Sequence, residues 1–578
     1  MKCIKVLFIL VIIFIANAKM AHAQGEQFTK TVLNNSYSLR HPFDMFNDPV
    51  DDSIWVNERV GIISKISTIN GGRSVKLTLP NDVFFTVSGT SIKQDGMLGM
   101  SLHPDALKSM GKDSLFVAYA YGSAALRNVR ISRFYCNPSS KMLSNETIIL
   151  NGLPGSDDHN GGKLVFGPDK KIYYSCGDQG ANQFGNACVS LKSQLDITAA
   201  QVTANNFTNY AGKILRINTD GSIPTDNPTF GGVRSLVYSK GHRNPQGLSF
   251  EKDNSGQPAV NAKLYSSEQG AVIDDEVNLI ESGKNYGWPF ISGYNDNIFY
   301  TYKNWSLSSQ CGSYGNECQT ASDMTGANTP RQESSFTPAS LYTDPMISQA
   351  AVASPNCSDW LQRPTVAWSS IEHYNPPSGI PGWSNSLLLT TLKNSSVLRY
   401  KLNAGETDIV GDTIQYFRVA GALNRFRDIA IGEDGISLYV ITDSVGATSG
   451  VSAGGGVSAT AGSLTDRGKL IRYRFNGAAV ILNLHNTITR QNNRQAPLGI
   501  KIIPNPATTY TTLVTKNGTV RPTLAVVHNV YGIIVTQYNI ANTTQVINTS
   551  KLSNGMYAIK FYNRNGQLIE SQQLIVQH

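Results

Sequence analysis

One local pattern recurs six times in this chain, and it limits the fold more than any other feature of the sequence. An apolar strand is followed by a Pro/Asp/Gly turn, a second strand carrying aromatics, and then polar residues. The copies run from His41 to Arg59, Leu98 to Tyr119, Leu164 to Tyr174, Leu248 to Gln269, Trp383 to Lys393 and Ile429 to Asp443. Period-two alternation between turn residues is strand and hairpin chemistry. Gly212–Ile217 and Ser396–Tyr400 read as further strands of their copies. Repetition of one four-stranded unit makes a β-propeller. The expected fold is all-β: a six-bladed β-propeller of four-stranded antiparallel blades. The uneven spacing predicts large insertions. An irregular β-sandwich is the competing architecture, and six copies speak against it.

The chain has 578 residues, 40% hydrophobic and 16% charged, which describes a globular protein rather than a disordered one. The formal net charge is +8, and no Lys/Arg run is dense enough to suggest nucleic acid. Scattered arginines suit a small anionic ligand better. Residues 1–23 read as a secretory signal peptide: a basic start at Met1–Lys5, an apolar stretch from Val6 to Ala16, and Ala21-His22-Ala23 before Gln24. A membrane anchor there fits less well, because the stretch falls short of about 18 residues. No other segment could span a membrane. Six cysteines remain after the signal, in a compartment where they can pair. Proximity favours Cys311 with Cys318 and allows Cys176 with Cys188; Cys136 and Cys357 stay unassigned.

After the sixth copy a Gly/Ser/Ala-rich run, Gly446 to Gly462, reads as a long exposed loop. Leu470–Phe475 is the last strand of the repeat region. The expected division is a propeller over 24–476, a linker over 477–498 and a separate tail over 499–578. The tail carries Pro504-Asn505-Pro506, a turn at Asn529-Val530-Tyr531-Gly532, and Leu552-Ser553-Asn554-Gly555-Met556-Tyr557. It resembles the C-terminal sorting domain of type IX secretion substrates. That resemblance implies a small β-sandwich, recognition by secretion machinery, and a secreted or cell-surface protein exported through the periplasm. An adhesion or carbohydrate-binding sandwich is the alternative.

Two polar clusters flank the third hairpin: Asp157-Asp158-His159-Asn160 leads in, and Gly177-Asp178-Gln179-Gly180-Ala181-Asn182-Gln183 follows. A histidine beside carboxylates at a strand end can serve as a general base. It can equally be a loop histidine that caps backbone groups, and the stretch alone leaves that open. The wider set of motifs includes Gly167-Pro168-Asp169, Gly212–Arg216, Asp220–Pro224, Gly241-His242-Arg243-Asn244-Pro245-Gln246-Gly247-Leu248, Ser267–Gly270, Asp274–Asn278 and Asn285-Tyr286-Gly287-Trp288-Pro289. Together, over roughly residues 30 to 475, these resemble the soluble pyrroloquinoline quinone (PQQ)-dependent glucose and aldose sugar dehydrogenases.

The resemblance implies roles. His159 matches the base that accepts the proton of the sugar's anomeric hydroxyl, and Asp178 the acid that orients it. Gln94 matches a residue beside both substrate and cofactor, and Asp158 and Gln183 match sugar contacts. Arg243 and Asn244 match the pair at the quinone carbonyls. Lys393, Arg425 and Arg427 match carboxylate ligands of PQQ. At i and i+2 of a strand, the two arginines share a face; a solvated face with Phe426 turned inward is the alternative. Calcium is implied at the carbonyls of Gly270 and Ala271, where the family often has proline at the second position. Further calcium is implied at Glu276, Tyr286 and Asp296; a solvated acidic turn is the alternative for residues 274–276.

The segment from Cys357 to Pro364 departs from the glucose enzymes, which carry a second cysteine, a tyrosine and a tryptophan there. Arg363 precedes the proline instead, which puts glucose preference in doubt. The expected activity is oxidation of an aldose to its lactone, with electrons passed to an external acceptor. A homodimer is left open. Two other classes compete: a calcium-dependent propeller lactonase, which has no use for three clustered cations, and a non-catalytic glycan-binding propeller.

Overall fold

The computed structural model describes residues 26–478 and 500–578, apart from 80, 89–90, 254–257, 314–317, 320–323, 337–340, 356, 358–362, 418–422, 447–463, 504, 506, 515–521, 530–533, 543 and 565–567. The signal peptide, most of the linker, the loop from 447 to 463, both prolines of the 504–506 motif and the 530–533 part of the tail turn lie outside the described residues.

Six four-stranded antiparallel sheets fill residues 26–478. Their first strands are Pro42–Asn47, Met97–Leu102, Gly161–Phe166, Pro245–Phe250, Trp368–Tyr374 and Phe426–Ile431. Each of these neighbours the next, and the sixth neighbours the first, so the sheets form a closed circuit. This is a propeller arrangement. In five sheets the strands run outward in chain order; in the sixth, the outermost strand is Glu26–Val32, which pairs with Leu470–Ala478. The chain therefore closes on itself through its own beginning, a contribution that the sequence pattern does not reveal.

The strands read as short apolar runs more than as strict alternation, and the packing is the cause. Successive strand residues point to opposite faces, and here both faces meet a neighbouring sheet. Tyr173 packs with Leu248 and Phe250 of the fourth sheet, while Tyr174 packs with Leu98 and Phe116 of the second. Trp55 and Val56 divide in the same way between the second and sixth sheets. Six apolar seams result, one between each pair of neighbours. Truncating a seam aromatic such as Phe116 to alanine costs about 3–5 kcal/mol.

At the centre, Lys163 reaches Asp44 at 2.5 Å and Asp428 at 3.1 Å. Asp44 also accepts from the Met100 amide and Asp428 from the Met45 amide and the Ser370 hydroxyl. One ammonium thus ties together the first strands of five sheets. Two carboxylates share it, and burial pushes Asp44 up to about 7.

Two sequence expectations need correction. The fifth unit does not begin at Trp383: its first strand is Trp368–Tyr374, paired with Ser386–Thr391. Trp383 sits in the connecting loop, fully buried against Tyr374 and Tyr416, so its apolar signal reflects core packing and not a strand. The cysteines pair as Cys188–Cys311 and Cys318–Cys357, while Cys136 and Cys176 are buried free thiols. Cys176 closes a buried strand, out of reach of the loop that carries Cys188. The bridges instead fasten the 281–346 insertion, between the third and fourth strands of the fourth sheet, to the loop after Gln183 and to the connection that follows Gln349. In the tail, a three-stranded and a four-stranded sheet share one apolar core, with Ala525, Val527, Ile547, Ile559, Phe561 and Leu574 at its centre. Among the described residues no helix is long and apolar enough to cross a membrane.

Candidate active site

His159 lies just before the first strand of the third sheet, and Asp178 just after the second. The hairpin brings them together because Gly177 passes so close to His159 that a Cβ there would lie 2.0 Å from the His159 carbonyl oxygen. His159 itself takes a left-handed φ of 44° and is 5% exposed. Its Nδ1 is 2.8 Å from Asp178 Oδ1. A carboxylate only accepts, so Nδ1 carries the hydrogen and Nε2 keeps its lone pair. Asp178 is fixed in turn by the Trp288 indole at 2.8 Å and the Gly180 amide at 2.9 Å.

From Nε2 a hydrogen-bonded path crosses the propeller. Gln183 Nε2 stands 3.0 Å from His159 Nε2, and its Oε1 accepts from Arg243 Nη2 at 2.8 Å. Gln183 also reaches Asp158 at 3.3 Å, and Asp158 accepts from Gln94 at 2.5 Å. Gln94 Oε1 accepts from Asn244 at 3.2 Å and Gln246 at 2.9 Å. Gln246 Oε1 accepts from Arg427 Nη1 at 3.0 Å. Arg427 then grips Asp443 through Nε and Nη2 at 2.9 and 2.8 Å, and Arg425 Nε reaches the same carboxylate at 3.1 Å. Burial works against that carboxylate, yet Arg427 and Arg425 hold it down to about 2. Phe426 between the two arginines is fully buried, so they do share a face, and it is not solvated.

Eight of the expected residues are thus joined in one network: His159, Asp178, Gln183, Asp158, Gln94, Asn244, Arg243 and Arg427, with Arg425 meeting it at Asp443. Lys393 is buried and donates to the Arg363 carbonyl at 2.9 Å and the Thr365 hydroxyl at 3.2 Å. Arg243 Nη1 donates to the Gly270 carbonyl at 2.7 Å, and Arg363 Nη1 to the Ala271 carbonyl at 3.3 Å. Glu276 accepts from the Gly293 amide at 2.7 Å. Tyr286 turns elsewhere, its ring stacked on His242 and its hydroxyl on the Leu279 carbonyl. Asp296 shares an electrostatic neighbourhood with Asp274 and Glu333; burial pushes all three carboxyls up, and like charge adds to the rise at Asp274 and Glu333. Among the described residues no three His, Cys, Asp or Glu side chains converge to chelate one ion.

Sequence reasoning missed Trp288, which carries Arg243 over its ring at 5.3 Å as well as bonding Asp178. It missed Gln246, Asp443, Arg59, Asp274 and Glu333 too. Trp288, Gln246 and Asp274 stand inside runs already singled out, and Asp443 closes the sixth copy; Glu333 had no local signal, because its partners Ser292 and Asn297 are distant in sequence.

Residues 39–325 and 337–449 match the glucose/sorbosone dehydrogenase family, and residues 501–577 match the secretion system C-terminal sorting domain. That tail marks a secreted or cell-surface protein. Quinoprotein glucose dehydrogenase B of Acinetobacter calcoaceticus is 34% identical over 450 residues, which is 74% of this chain and 88% of that protein. The aldose sugar dehydrogenase YliI of Escherichia coli is 24% identical over 355 residues, 61% of this chain and 75% of that one. The crystal structure of the soluble Escherichia coli aldose sugar dehydrogenase in its apo form shares the fold, with a TM-score of 0.51 at 21% identity over 77% of this chain and 99% of that one. The chain belongs to the glucose/sorbosone dehydrogenase family, and is homologous to sugar-oxidising dehydrogenases.

Proposed function

We propose that this protein is a secreted quinoprotein that oxidises the anomeric carbon of an aldose to the lactone. The observation that carries the reading is the continuous path from His159 to Arg427, with a base at one end and an anion seat at the other. The residues fit PQQ, a tricarboxylate, because Arg425 and Arg427 present two guanidiniums around the Asp443 carboxylate, and guanidinium forks suit carboxylates. Lys393, Arg425 and Arg427 would hold its carboxylates, and Arg243 and Asn244 its carbonyl end. When bound, PQQ supplies the acceptor for the hydride that the anomeric carbon loses.

The chain's own residues do the rest. His159 Nε2 takes the proton of the anomeric hydroxyl, which replaces Gln183 as its partner. Asp178 keeps the tautomer and stabilises the imidazolium that forms. Asp158, Gln94 and Gln183 orient the sugar's hydroxyls. Arg243, propped on Trp288, places a fixed positive charge where negative charge develops. Electrons then leave to an external acceptor.

Calcium belongs to the same reading, at the Gly270 and Ala271 carbonyls and at Glu276, Tyr286 and Asp296. Its support is donor chemistry: hard oxygens and buried carboxylates. The two carbonyls accept from guanidiniums that an ion would have to displace, and no step above depends on it. We further read the six sheets as six blades, the tail as a small β-sandwich, residues 1–23 as a signal peptide, 24–476 as the catalytic unit and 477–498 as a linker.

The test is reconstitution of the purified protein with PQQ and calcium, following dye reduction across a panel of aldoses. Turnover that needs both PQQ and a sugar is the expected result. Tight PQQ binding with no aldose oxidised rejects the substrate class, and hydrolysis of a lactone without PQQ moves the protein to the lactonase reading.

A further inference from the structure

Arg59 is absorbed by none of these roles. It follows the second strand of the first sheet, and its backbone is pinned between two sheets by the His41 carbonyl and the Met97 amide, each at 2.9 Å. The side chain is 3% exposed. Its Nη1 donates to the carbonyls of Lys93 at 2.9 Å and Asp95 at 3.4 Å, the two that flank Gln94. Its guanidinium lies 4.9 Å from the centre of the Phe43 ring, and that of Arg427 lies 5.9 Å from the same centre. Both guanidiniums thus lie against Phe43, and the charge of Arg427 acts on Arg59.

Among the described residues the charges around it do not balance. Arg59, Arg425 and Arg427 face Asp443, while Asp95 is already engaged by Arg127 at 2.9 Å and by Thr86. Burial and then Arg427 pull the Arg59 guanidinium down to about 9, so it remains charged at neutral pH. Among the described residues no carboxylate lies within ion-pair distance of Arg59. A buried arginine held only by carbonyls, next to two more arginines, is costly unless an anion completes the set. Arg216, by contrast, sits between Asp169 and Asp226.

We propose that Arg59 is a further ligand-binding residue, holding a carboxylate of the anionic cofactor beside Arg427 and setting Gln94 through the two carbonyls that flank it. The inference rests on the quinone reading and extends it by a residue that no motif indicated.

The experiment compares the full cofactor-free chain, with excess calcium present, with its Arg59→Met and Arg59→Lys variants. Each is titrated with PQQ, and separately with citrate, by quenching of tryptophan fluorescence; each is also melted without ligand. Arg59→Met is expected to weaken PQQ binding about 30-fold, the worth of one hydrogen bond to a charged group. Its melting temperature without ligand should hold or rise, since a like charge has been removed. Arg59→Lys should recover part of the affinity. Unchanged PQQ affinity in Arg59→Met overturns the proposal and leaves the quinone reading standing. A Met variant that loses affinity and melting temperature together, with no recovery in Arg59→Lys, makes Arg59 structural and also overturns it. A wild-type chain that binds citrate but not PQQ keeps the anion seat and removes the quinone; one that binds neither removes both.

Discussion

Two buried groups of like charge lie within the propeller, and they behave differently. Arg59, Arg425 and Arg427 crowd around Asp443. Asp274, Glu276 and Glu333 form a buried acidic counterpart with Asp296 at its exposed edge, and none of them makes an ion pair among the described residues. Carboxyls have a way out: burial, followed by like charge, raises Asp274 and Glu276 well above the carboxylate range and Glu333 to about 7. They can take up protons and fall silent. Arginine has no such recourse at neutral pH. The cationic group stays charged and calls for an anion, whereas the acidic group can wait. Buried like charge is thus stronger evidence for a ligand when the groups cannot discharge.

The largest expected effect comes from a carboxylate that has partners. Asp178→Asn preserves the shape but presents a donor to His159, forcing the other tautomer; kcat should fall roughly a thousandfold while PQQ binding holds. Steady-state rates beside a binding titration check this, and an unaltered kcat would remove Asp178 from the chemistry.

The second effect targets the cationic group. Arg427→Met should weaken PQQ binding about 100-fold, because it removes a charged fork and leaves Asp443 half-satisfied. If equilibrium titration finds the affinity intact, this is not the anion seat and the contrast collapses.

The third concerns the acidic group. Calcium at a hundred times its dissociation constant should add about 3 kcal/mol of stability, seen as a raised melting temperature that a chelator reverses. No response to calcium would leave these carboxyls structural.

The smallest follows pH. Glu333 has a raised folded value, so its stabilising contribution is complete below the ordinary glutamate range and is lost as pH rises through about 7. The metal-free protein should melt progressively lower across that window, and Glu333→Gln should flatten the slope by roughly 2 kcal/mol. A flat profile would show that these carboxyls ionise as freely as in the unfolded chain, and a slope of opposite sign that they are held charged.

The hairpin repeats were legible because each strand is apolar on both faces and punctuated by turns. The Trp383 error shows the limit of that signal: an aromatic buried from a loop looks the same in sequence as one buried from a strand. His159, Asp178 and Arg243 stood out through motif runs that are contiguous in the chain. Asp443 and Glu333 did not, since a buried charge is recognised by what lies next to it in space, and Asp443 meets Arg427 from another strand of its sheet. The cysteines failed for the same reason: sequence proximity favoured Cys311 with Cys318, while the insertion folds each toward a different loop.

The pairing of Glu26–Val32 with Leu470–Ala478 has a consequence for how the molecule comes into being. Lys30 and Asp466, joined across that seam, are 436 positions apart. A ribosome delivering the chain from its amino end makes the latch first and its catch last. The circle cannot shut until nearly the whole catalytic portion has emerged, so the final contour, and with it the juxtaposition of Arg59 and Arg427 from opposite ends of the chain, is a late event. A deletion of Glu26–Val32, far from His159 in sequence, should therefore spring the ring open and scatter the proposed anion seat before it disturbs the hairpin that bears His159.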